Sequence, residues 1–333
     1  MKQAKATMLM FMVAFISFLV VGICPEARSD SIKFRLAHGR PKTHITGRTV
    51  EKFKEFVEKA SNGQLQIDVY PDAQLYNDRT APGAIAGNYI ELACTSNVVL
   101  TGWVPGWDIL SMPFMFKSDE QFYEFTSTDA WKKLLRDTEA KGVKVISFWP
   151  GGSVFHWNRV RPIKSINDFS GIKTRVLESK IHKDIINTLG ANAMPVSFPE
   201  VYTALQQGMV DGVFTTVDAM YTAKWYEYVD YGLTNPVIMV GTGIMVSQNA
   251  WKSLPPDLQK LLMEQGRKAS DWENIELAQD KAKKFEAVQK GGVALNTLSP
   301  EGLEKVKTAI EPVVNRYKDK VGQDLISAAQ KMN

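Results

Sequence analysis

The sequence has few of the residues and motifs on which most enzyme and metal sites depend. It contains four histidines in 333 residues, and these are not spaced as metal ligands. A P-loop, a G-x-G-x-x-G run after a strand and a G-x-S-x-G elbow are all missing from it. A Ser–His–Asp triad is assembled in space, so the sequence alone leaves that arrangement open. We therefore expect a protein that is not an enzyme and that binds no metal and no cofactor.

An excess of charge of one sign is also missing. The formal net charge is +4, and removing residues 1–29, which hold three basic residues and one acidic residue, leaves +2. The sequence has no Lys/Arg-rich run interleaved with aromatic residues, no low-complexity segment and no internal repeat. These features argue against nucleic acid or an anionic membrane surface as the partner.

The one long apolar run lies at the N-terminus. Lys2 and Lys5 precede the uncharged segment 8–23, and Ala27-Arg28-Ser29 has the small–x–small pattern of a signal-peptidase site. The alternative is a membrane anchor, but the run is shorter than the roughly 20 apolar residues that a span needs. We expect residues 1–29 to be a cleaved signal peptide.

Cysteine is nearly absent. Cys24 follows Val-Gly-Ile, which is a poor lipid-attachment pattern, and it lies within the predicted signal peptide. Cys94 is then the one cysteine of the mature chain, so an internal disulfide is excluded. Its apolar neighbours predict a small buried hydrophobic residue. Export without disulfides fits a periplasmic protein.

The mature sequence instead contains alternating strand and helix patterns. The first unit reads strand–helix–strand–helix–strand, and its strands are predicted at 32–38, 65–70 and 90–94. A second unit of the same kind is predicted from 172 to 215. Two such units indicate two α/β lobes. Parallel sheets bind ligands at the carboxyl ends of their strands, and Arg175, Phe214 and Thr215 occupy such ends here.

Two segments of the second unit also resemble a known family. Residues 171–176 read G-I-K-T-R-V, and residues 190–212 read G-A-N-A-M-P-V-S-F-P-E-V-Y-T-A-L-Q-Q-G-M-V-D-G. This long, correctly spaced motif is similar to the signature of the solute-binding proteins of TRAP transporters, the DctP-type family. The likeness extends from about Ile32 to near Gly322.

The resemblance implies an α/β, two-lobed periplasmic binding protein fold. Each lobe is then a sheet flanked by helices, the lobes are hinged, and a long helix spans both. Lobe one is expected to comprise 30–150 and about 236–255, and lobe two 151–235 and about 285–333. The segment 256–284 is then the crossing helix, within a helical pattern that we expect to break near Gly266.

Two further expectations concern the connections between the lobes. Strands predicted at 143–149 and 153–157 are separated by Gly151-Gly152, which we expect to make a flexible crossing. The helical tail, 301–330, is expected to pack on lobe two.

Arg175 is the main candidate for ligand binding. In the resembling family, the arginine of the G-x-K-x-R segment pairs with the substrate carboxylate. A guanidinium group offers a planar fork that binds a carboxylate through two parallel hydrogen bonds. The alternative is an internal Asp or Glu partner.

Aromatic candidates come from the same resemblance. Phe198 aligns with a family aromatic residue that packs against the ligand. Phe155 stands where some members, such as the sialic-acid binders, have a second arginine, so it is expected to face an apolar part of the ligand or to lie in the core. Trp149, at the crossing, is expected to form a cleft wall or to lie in the core.

Polar candidates complete the predicted site. Thr215 aligns where the family often has asparagine, and Phe214 replaces an acidic residue, which argues against polyhydroxylated ligands. Asp218 is expected to bind a ligand hydroxyl or to cap the helix that begins near Ala219. The remaining candidates end the first and third strands of lobe one, and they are His38, Thr95 and Ser96.

These features predict the periplasmic solute-binding component of a TRAP transporter, a monomer that delivers a small organic acid to the membrane permease. One arginine among several aromatic residues favours a monocarboxylate, such as an aromatic, hydroxy or keto acid. The alternative is a C4-dicarboxylate, whose second charge would need Arg40, Arg159 or Arg161, all three expected on the surface. A periplasmic ligand-sensing subunit and a secreted enzyme are the alternative classes.

Overall fold

A computed structural model of the protein describes residues 31–332. Residues 33–332 lie within one compact unit. The predicted signal peptide lies outside the described residues.

The described residues form strands and helices in alternation. The strands are β1 Ile32–His38, β2 Leu65–Tyr70, β3 Leu92–Ser96, β4 Val143–Asn158, β5 Lys173–Val176, β6 Asn192–Pro195, β7 Gly212–Thr216, β8 Tyr231–Ser247 and β9 Ala294–Asn296. The helices are α1 Ile45–Ala60, α2 Ala81–Ala86, α3 Asp119–Phe125, α4 Asp129–Glu139, α5 Lys180–Thr188, α6 Val201–Gln206, α7 Val217–Thr222, α8 Gln248–Ser253, α9 Pro256–Lys290, α10 Pro300–Val321 and α11 Gln323–Gln330. Short 3₁₀ turns include Pro105–Ser111, Phe198–Glu200 and Trp225–Tyr228.

Hydroxyl side chains set the start of many of these helices. The N-cap oxygen accepts a hydrogen bond from the backbone amide three residues later, which satisfies one of the free N–H groups of the first turn. This cap occurs at Ser118, Thr128, Ser179, Thr216, Ser247 and Ser299. The sequence therefore specifies these boundaries locally, before any tertiary packing.

The strands form one sheet in the order β2-β1-β3-β8-β4-β7-β5-β6, with β9 paired to β8. β1 pairs with β3 in parallel, and β5 pairs in parallel with both β6 and β7. The long strands β4 and β8 run antiparallel to each other at the centre and join the two parallel groups. The two predicted strand–helix units therefore lie on opposite sides of the central β4–β8 strand pair.

The predicted break at Gly151-Gly152 is wrong, because β4 is one strand from Val143 to Asn158. Pairing with β8 continues past the glycines with a register shift between Pro150 and Gly152, where Gly152 has φ +105°. That backbone conformation suits glycine and is strained for other residues. The glycine pair thus bends a continuous strand and does not end it.

The predicted break near Gly266 is also wrong, because α9 is a 35-residue helix that runs through it. A Cβ atom at Gly266 would lie 2.8 Å from Ile146 Cγ2, so a side chain is excluded there. Ser147 donates a hydrogen bond of 2.6 Å from Oγ to the Gly266 carbonyl oxygen. The glycine permits close packing of α9 on β4.

The last helix of the tail, α11, does not pack where we expected. α10 packs against α5 and the turn Pro105–Ser111, but α11 packs against α3 and α4. Since α3 and α4 belong to the predicted lobe one, α11 does not follow the expectation that the tail packs on lobe two.

Candidate functional site

One cavity is lined by five of the ten predicted site residues. It has a volume of about 40 Å³ and lies at the carboxyl ends of β5 and β7, beside the bend of β4. Its lining residues are Arg40, His44, Thr46, Ser96, Gly151, Val154, Arg175, Leu177, His182, Phe198, Phe214, Thr215, Thr216, Ala219, Val240 and Thr242.

Arg175 lines this cavity and has an unpaired guanidinium nitrogen. Its side chain is buried, and Nε donates a hydrogen bond of 2.9 Å to the Val196 carbonyl oxygen. Nη2 is buried as well, and nothing among residues 31–332 accepts a hydrogen bond from it. Burial, and then the nearby charge of Arg40, lowers the pKa of Arg175 to about 9. The guanidinium group is therefore charged at neutral pH, and its unpaired nitrogen favours the binding of an anion.

Arg40 also lines the cavity, so the expectation that it lies on the surface is wrong. It follows β1 through a turn, and its guanidinium lies 4.3 Å from the centre of the Phe198 ring. Its Nη1 makes a 2.6 Å salt bridge with Asp78 Oδ2. The Thr95 hydroxyl holds Asp78 in turn, at 3.3 Å from Oδ1. Arg40 is thus a second buried cation, already paired within the protein.

The other two arginines considered for a second charge do not line the cavity. Arg159 donates to the carbonyl oxygens of Leu205 and Val210, and Arg161 donates to those of Asp168 and Ser170. These interactions tie loops of the fold together. They leave Arg40 as the one candidate of the three that could reach a ligand.

The aromatic candidates divide between the cavity and the core. Phe198 and Phe214 line the cavity. Phe155 does not, because it packs edge-on against Trp157 and Phe285, and its neighbour Val154 faces the cavity in its place. Successive residues of a strand point to opposite faces, so Phe155 lies on the core side of β4, which is one of the two expected places for it.

Trp149 lies beside the cavity without lining it. The residue is fully buried, and its register partner on β8, Thr242, is a lining residue. Its indole Nε1 is buried and finds no acceptor in the part of the chain that the structure describes. In this structure Trp149 is a buried core residue, and a role as a cleft wall stays a prediction.

The polar candidates divide in the same way. Thr215 and Ser96 line the cavity, whereas His38 and Thr95 are buried outside it. The Thr95 hydroxyl donates a hydrogen bond to Asp78, which in turn pairs with Arg40. His38 accepts a hydrogen bond from the Arg40 amide at 3.4 Å, and burial lowers its pKa to about 4, so it is neutral at pH 7.

Asp218 is neither a lining residue nor a helix cap. Thr216 caps α7, which corrects the expected capping role of Asp218. The buried Asp218 carboxylate lies 2.5 Å from Lys284 Nζ on α9 and 3.2 Å from His44 Nε2, and it accepts from the Ile45 amide. Burial raises its pKa, but His44 and Lys284 together lower it more, so the group stays ionised. Asp218 joins α7 to α9 and to the start of α1.

Two lining histidines were missed by sequence reasoning. His44 caps α1, since its Nδ1 accepts from the Thr46 amide, and Nε2 then carries the proton toward Asp218. His182 lies 2.9 Å through Nε2 from Ser111 Oγ. Burial lowers the pKa of His44 to about 4 and that of His182 to about 3, so both rings are neutral at pH 7. The sequence carries no signal for them, because a polar residue beside the apolar stripe of a helix looks the same whether its side chain faces a cavity or solvent.

Other chemistry is not indicated within residues 31–332. That range contains no group of three His, Cys, Asp or Glu side chains placed to hold a metal ion. It also has no helix long and apolar enough to cross a membrane. Cys94 is a free, buried thiol, as expected.

An α/β sheet with a cavity at its strand ends, and a buried arginine without an internal acid, defines a solute-binding protein. The family model "DctP: Bacterial extracellular solute-binding protein, family 7" matches residues 36–320, and the chain belongs to this family. The family serves transport and is not enzymatic. The predicted family and the predicted two-lobed fold are confirmed. The predicted lobe boundaries stay a prediction.

Individual relatives agree with this assignment. The chain is 27% identical over 315 residues to the C4-dicarboxylate-binding periplasmic protein DctP of Rhodobacter capsulatus, with 94% of each chain covered. It is 25% identical to a TRAP periplasmic solute-binding protein of Shewanella oneidensis with bound succinate (TM-score 0.86; 91% of this chain and 99% of that chain). It is 26% identical to one from Desulfovibrio salexigens with bound orotic acid (TM-score 0.85; 91% and 98%).

Proposed function

We propose that this protein is the periplasmic solute-binding component of a TRAP transporter that captures a small organic monocarboxylate through Arg175. The family membership supports the transport role, and relatives named as periplasmic support the compartment. In this proposal the loaded protein delivers its acid to the permease subunits in the membrane.

The observation that carries the proposal is the buried Nη2 of Arg175. Burying a charged donor without a partner is costly, and a ligand carboxylate would supply the missing acceptor. Nε is already held by the Val196 carbonyl oxygen, which fixes the direction of the guanidinium plane. The free edge is thus oriented before the ligand arrives, which reduces the entropy lost on binding.

The balance of charge in the cavity wall supports one carboxylate. Arg40 is neutralised by Asp78, and His44 and His182 are neutral, so Arg175 supplies one uncompensated positive charge. A buried charge without a partner is strongly unfavourable. A monocarboxylate completes that pairing.

The remaining lining residues favour an apolar or aromatic body on the ligand. Phe198, Phe214, Leu177, Val154 and Val240 present carbon to the cavity. Thr215, Ser96 and Thr242 add hydroxyl groups that either donate or accept hydrogen bonds, which suits a hydroxy or keto acid. The relative from D. salexigens, solved with orotic acid, provides an example of an aromatic acid with one carboxylate.

Capture is proposed to involve closure of the lobes around the acid. The lining residues come from both sides of the β4–β8 pair, and the bend at Gly152 offers a hinge in the connection. A ligand favours the closed form only through contacts that the open form lacks. Arg175 from one side, with Arg40 and Ser96 from the other, provides such contacts.

A C4-dicarboxylate is the second candidate ligand. It is favoured by the position of Arg40 on the cavity wall, and by relatives that are named C4-dicarboxylate-binding proteins. It would require Arg40 to bind the second carboxylate as well as Asp78.

The test begins with a thermal-shift screen of organic acids, because a ligand that binds the native state raises the melting temperature. Calorimetry then compares wild type, Arg175→Gln and the control Arg136→Gln, an exposed arginine on α4. Arg175→Gln should lose about 2–5 kcal/mol of binding free energy, the usual range for truncating a buried charged pair. That is about 30-fold to several-thousand-fold in Kd. The control should bind like wild type.

An Arg175→Gln protein that is folded and binds within a few-fold of wild type would contradict the proposal. Chemical conversion of the acid during incubation, measured by mass spectrometry, would instead favour the secreted enzyme.

A further inference from the structure

Asp78 is placed to control the charge of the cavity without lining it. It lies in the loop between β2 and α2, and its side chain is 15% exposed. Its carboxylate makes the 2.6 Å salt bridge with Arg40, while its Oδ1 accepts from the Thr95 hydroxyl at 3.3 Å. Thr95 belongs to β3, so the sheet itself fixes the position of this acid.

Arg40 lies on the cavity wall between Asp78 and Phe198. Its guanidinium lies over the Phe198 ring at 4.3 Å, and both residues line the cavity that contains Arg175. A guanidinium group has five N–H donors, so the pair with Asp78 leaves others available to a ligand. The two arginines also lie within electrostatic reach, because the charge of Arg40 lowers the pKa of Arg175.

We infer that Asp78 is the residue that determines how many carboxylates the site accepts. By neutralising Arg40, it leaves one uncompensated cation, and the site selects a monoacid over the corresponding diacid. This inference rests on the proposed function, in which Arg175 anchors the first carboxylate.

The physical reason is the cost of placing like charges together. A second ligand carboxylate directed at Arg40 would approach Asp78 on the same guanidinium, and like-charge contacts at an interface are strongly unfavourable. An amide or hydroxyl group at that position would instead accept from Arg40 without added charge. Without the charge of Asp78, Arg40 would become a free buried cation that favours a diacid.

The test compares two matched ligands, succinate and succinamate, which differ in one carboxylate against one carboxamide. Calorimetry gives the ratio of their Kd values for wild type, Asp78→Asn, the double variant Arg40→Gln/Asp78→Asn, and Asp68→Asn. Asn at position 78 keeps the acceptor for Thr95 but removes the charge. Asp68 is an exposed residue on β2 and serves as the matched control.

Asp78→Asn should shift the ratio toward succinate by about tenfold or more, since it converts a repulsive contact into an attractive one. The double variant removes the cation as well, so its ratio should return to within about threefold of wild type. Asp68→Asn should leave the ratio unchanged. Circular dichroism confirms that each variant is folded.

A folded Asp78→Asn protein with the wild-type ratio, or one that does not bind succinate, would overturn the inference. A wild type that already prefers succinate to succinamate would overturn it too. Failure of the proposed function is measured separately, with Arg175→Gln. If the proposed function is wrong, Arg175→Gln keeps its affinity for the acid, and this result does not depend on the Asp78→Asn measurement.

Discussion

At the scale of single residues, Asp218 was a candidate for ligand binding, but in the structure its carboxylate contacts other parts of the protein. Its carboxylate is buried against Lys284, His44 and the Ile45 amide, so both of its oxygens already have partners within the protein. Asp218 is fully buried and does not line the cavity. Its role is to hold α7, α9 and the start of α1 together.

We predict that Asp218→Asn destabilises the fold by about 3 kcal/mol, because it leaves the buried Lys284 charge without its main partner. Breaking a buried pair can cost more, but Lys284 Nζ also lies 3.4 Å from Asp280. Urea unfolding measures the loss, with the exposed Asp319→Asn as control. The double variant Asp218→Asn/Lys284→Met should recover most of it. An Asp218→Asn protein as stable as wild type would show that the pair contributes nothing.

The sequence was enough to predict the region of the chain in which the main site candidates lie. It was not enough to predict which way their side chains point. Arg175 and Phe198 could be found because a long motif specifies them, and Phe214 and Thr215 because they end a strand. The sequence left two places open for Phe155, because strand pleating decides which neighbour faces the cavity. Arg40 was wrongly expected on the surface, because its burial depends on Asp78 and Phe198, which lie far from it in sequence. Binding by any of these residues stays a prediction.

At the scale of elements, the long helix α9 carries charges that other elements neutralise. Lys281 pairs with Asp119 on α3, and Arg48 on α1 pairs with Glu276 and Asp280. Glu273 differs, because both of its carboxylate oxygens are buried without a partner among the described residues. Burial first, and then Asp119 and Asp218, raises the pKa of Glu273 well above its usual value of 4.5.

Glu273 should therefore make stability depend on pH. Above pH 4.5, the unfolded chain releases this proton while the folded chain keeps it, so stability falls as pH rises toward the folded pKa. The slope for one proton is about 1.4 kcal/mol per pH unit. Glu273→Gln cannot titrate, so we predict that it is less stable relative to wild type at pH 4.5 than at pH 8.

Chemical unfolding from pH 4.5 to 8 measures this difference between the two proteins. Glu264→Gln, an exposed residue on the same helix, is the control and should follow wild type across the range. Parallel pH profiles for wild type and Glu273→Gln would mean that Glu273 is ionised in the folded state.

Element boundaries were predictable where local chemistry sets them and not where pairing does. Caps such as Ser179 and Thr216 mark helix starts in the sequence itself. The glycines of β4 and α9 suggested breaks, because glycine weakens isolated strands and helices. In the fold, pairing with β8 and packing on Ile146 outweigh that weakness.

At the scale of the whole molecule, β4 and β8 join two parallel groups of strands around one cavity. The side chains of that cavity come from segments between Arg40 and Thr242, so the site exists once the chain has folded as a unit. Alternation of strands and helices predicted the two α/β units, and the family resemblance predicted how they combine. The continuous sheet was not predictable, because it depends on pairing over long sequence separations.

The central claim is that Arg175 receives the carboxylate of the transported acid. The most direct measurement is a crystal structure of the protein with an acid identified in the thermal-shift screen. We expect a carboxylate within hydrogen-bonding distance of Arg175 Nη2, with Asp78 still paired to Arg40. An acid bound elsewhere, with Arg175 Nη2 turned toward the protein's own carboxylates, would contradict it.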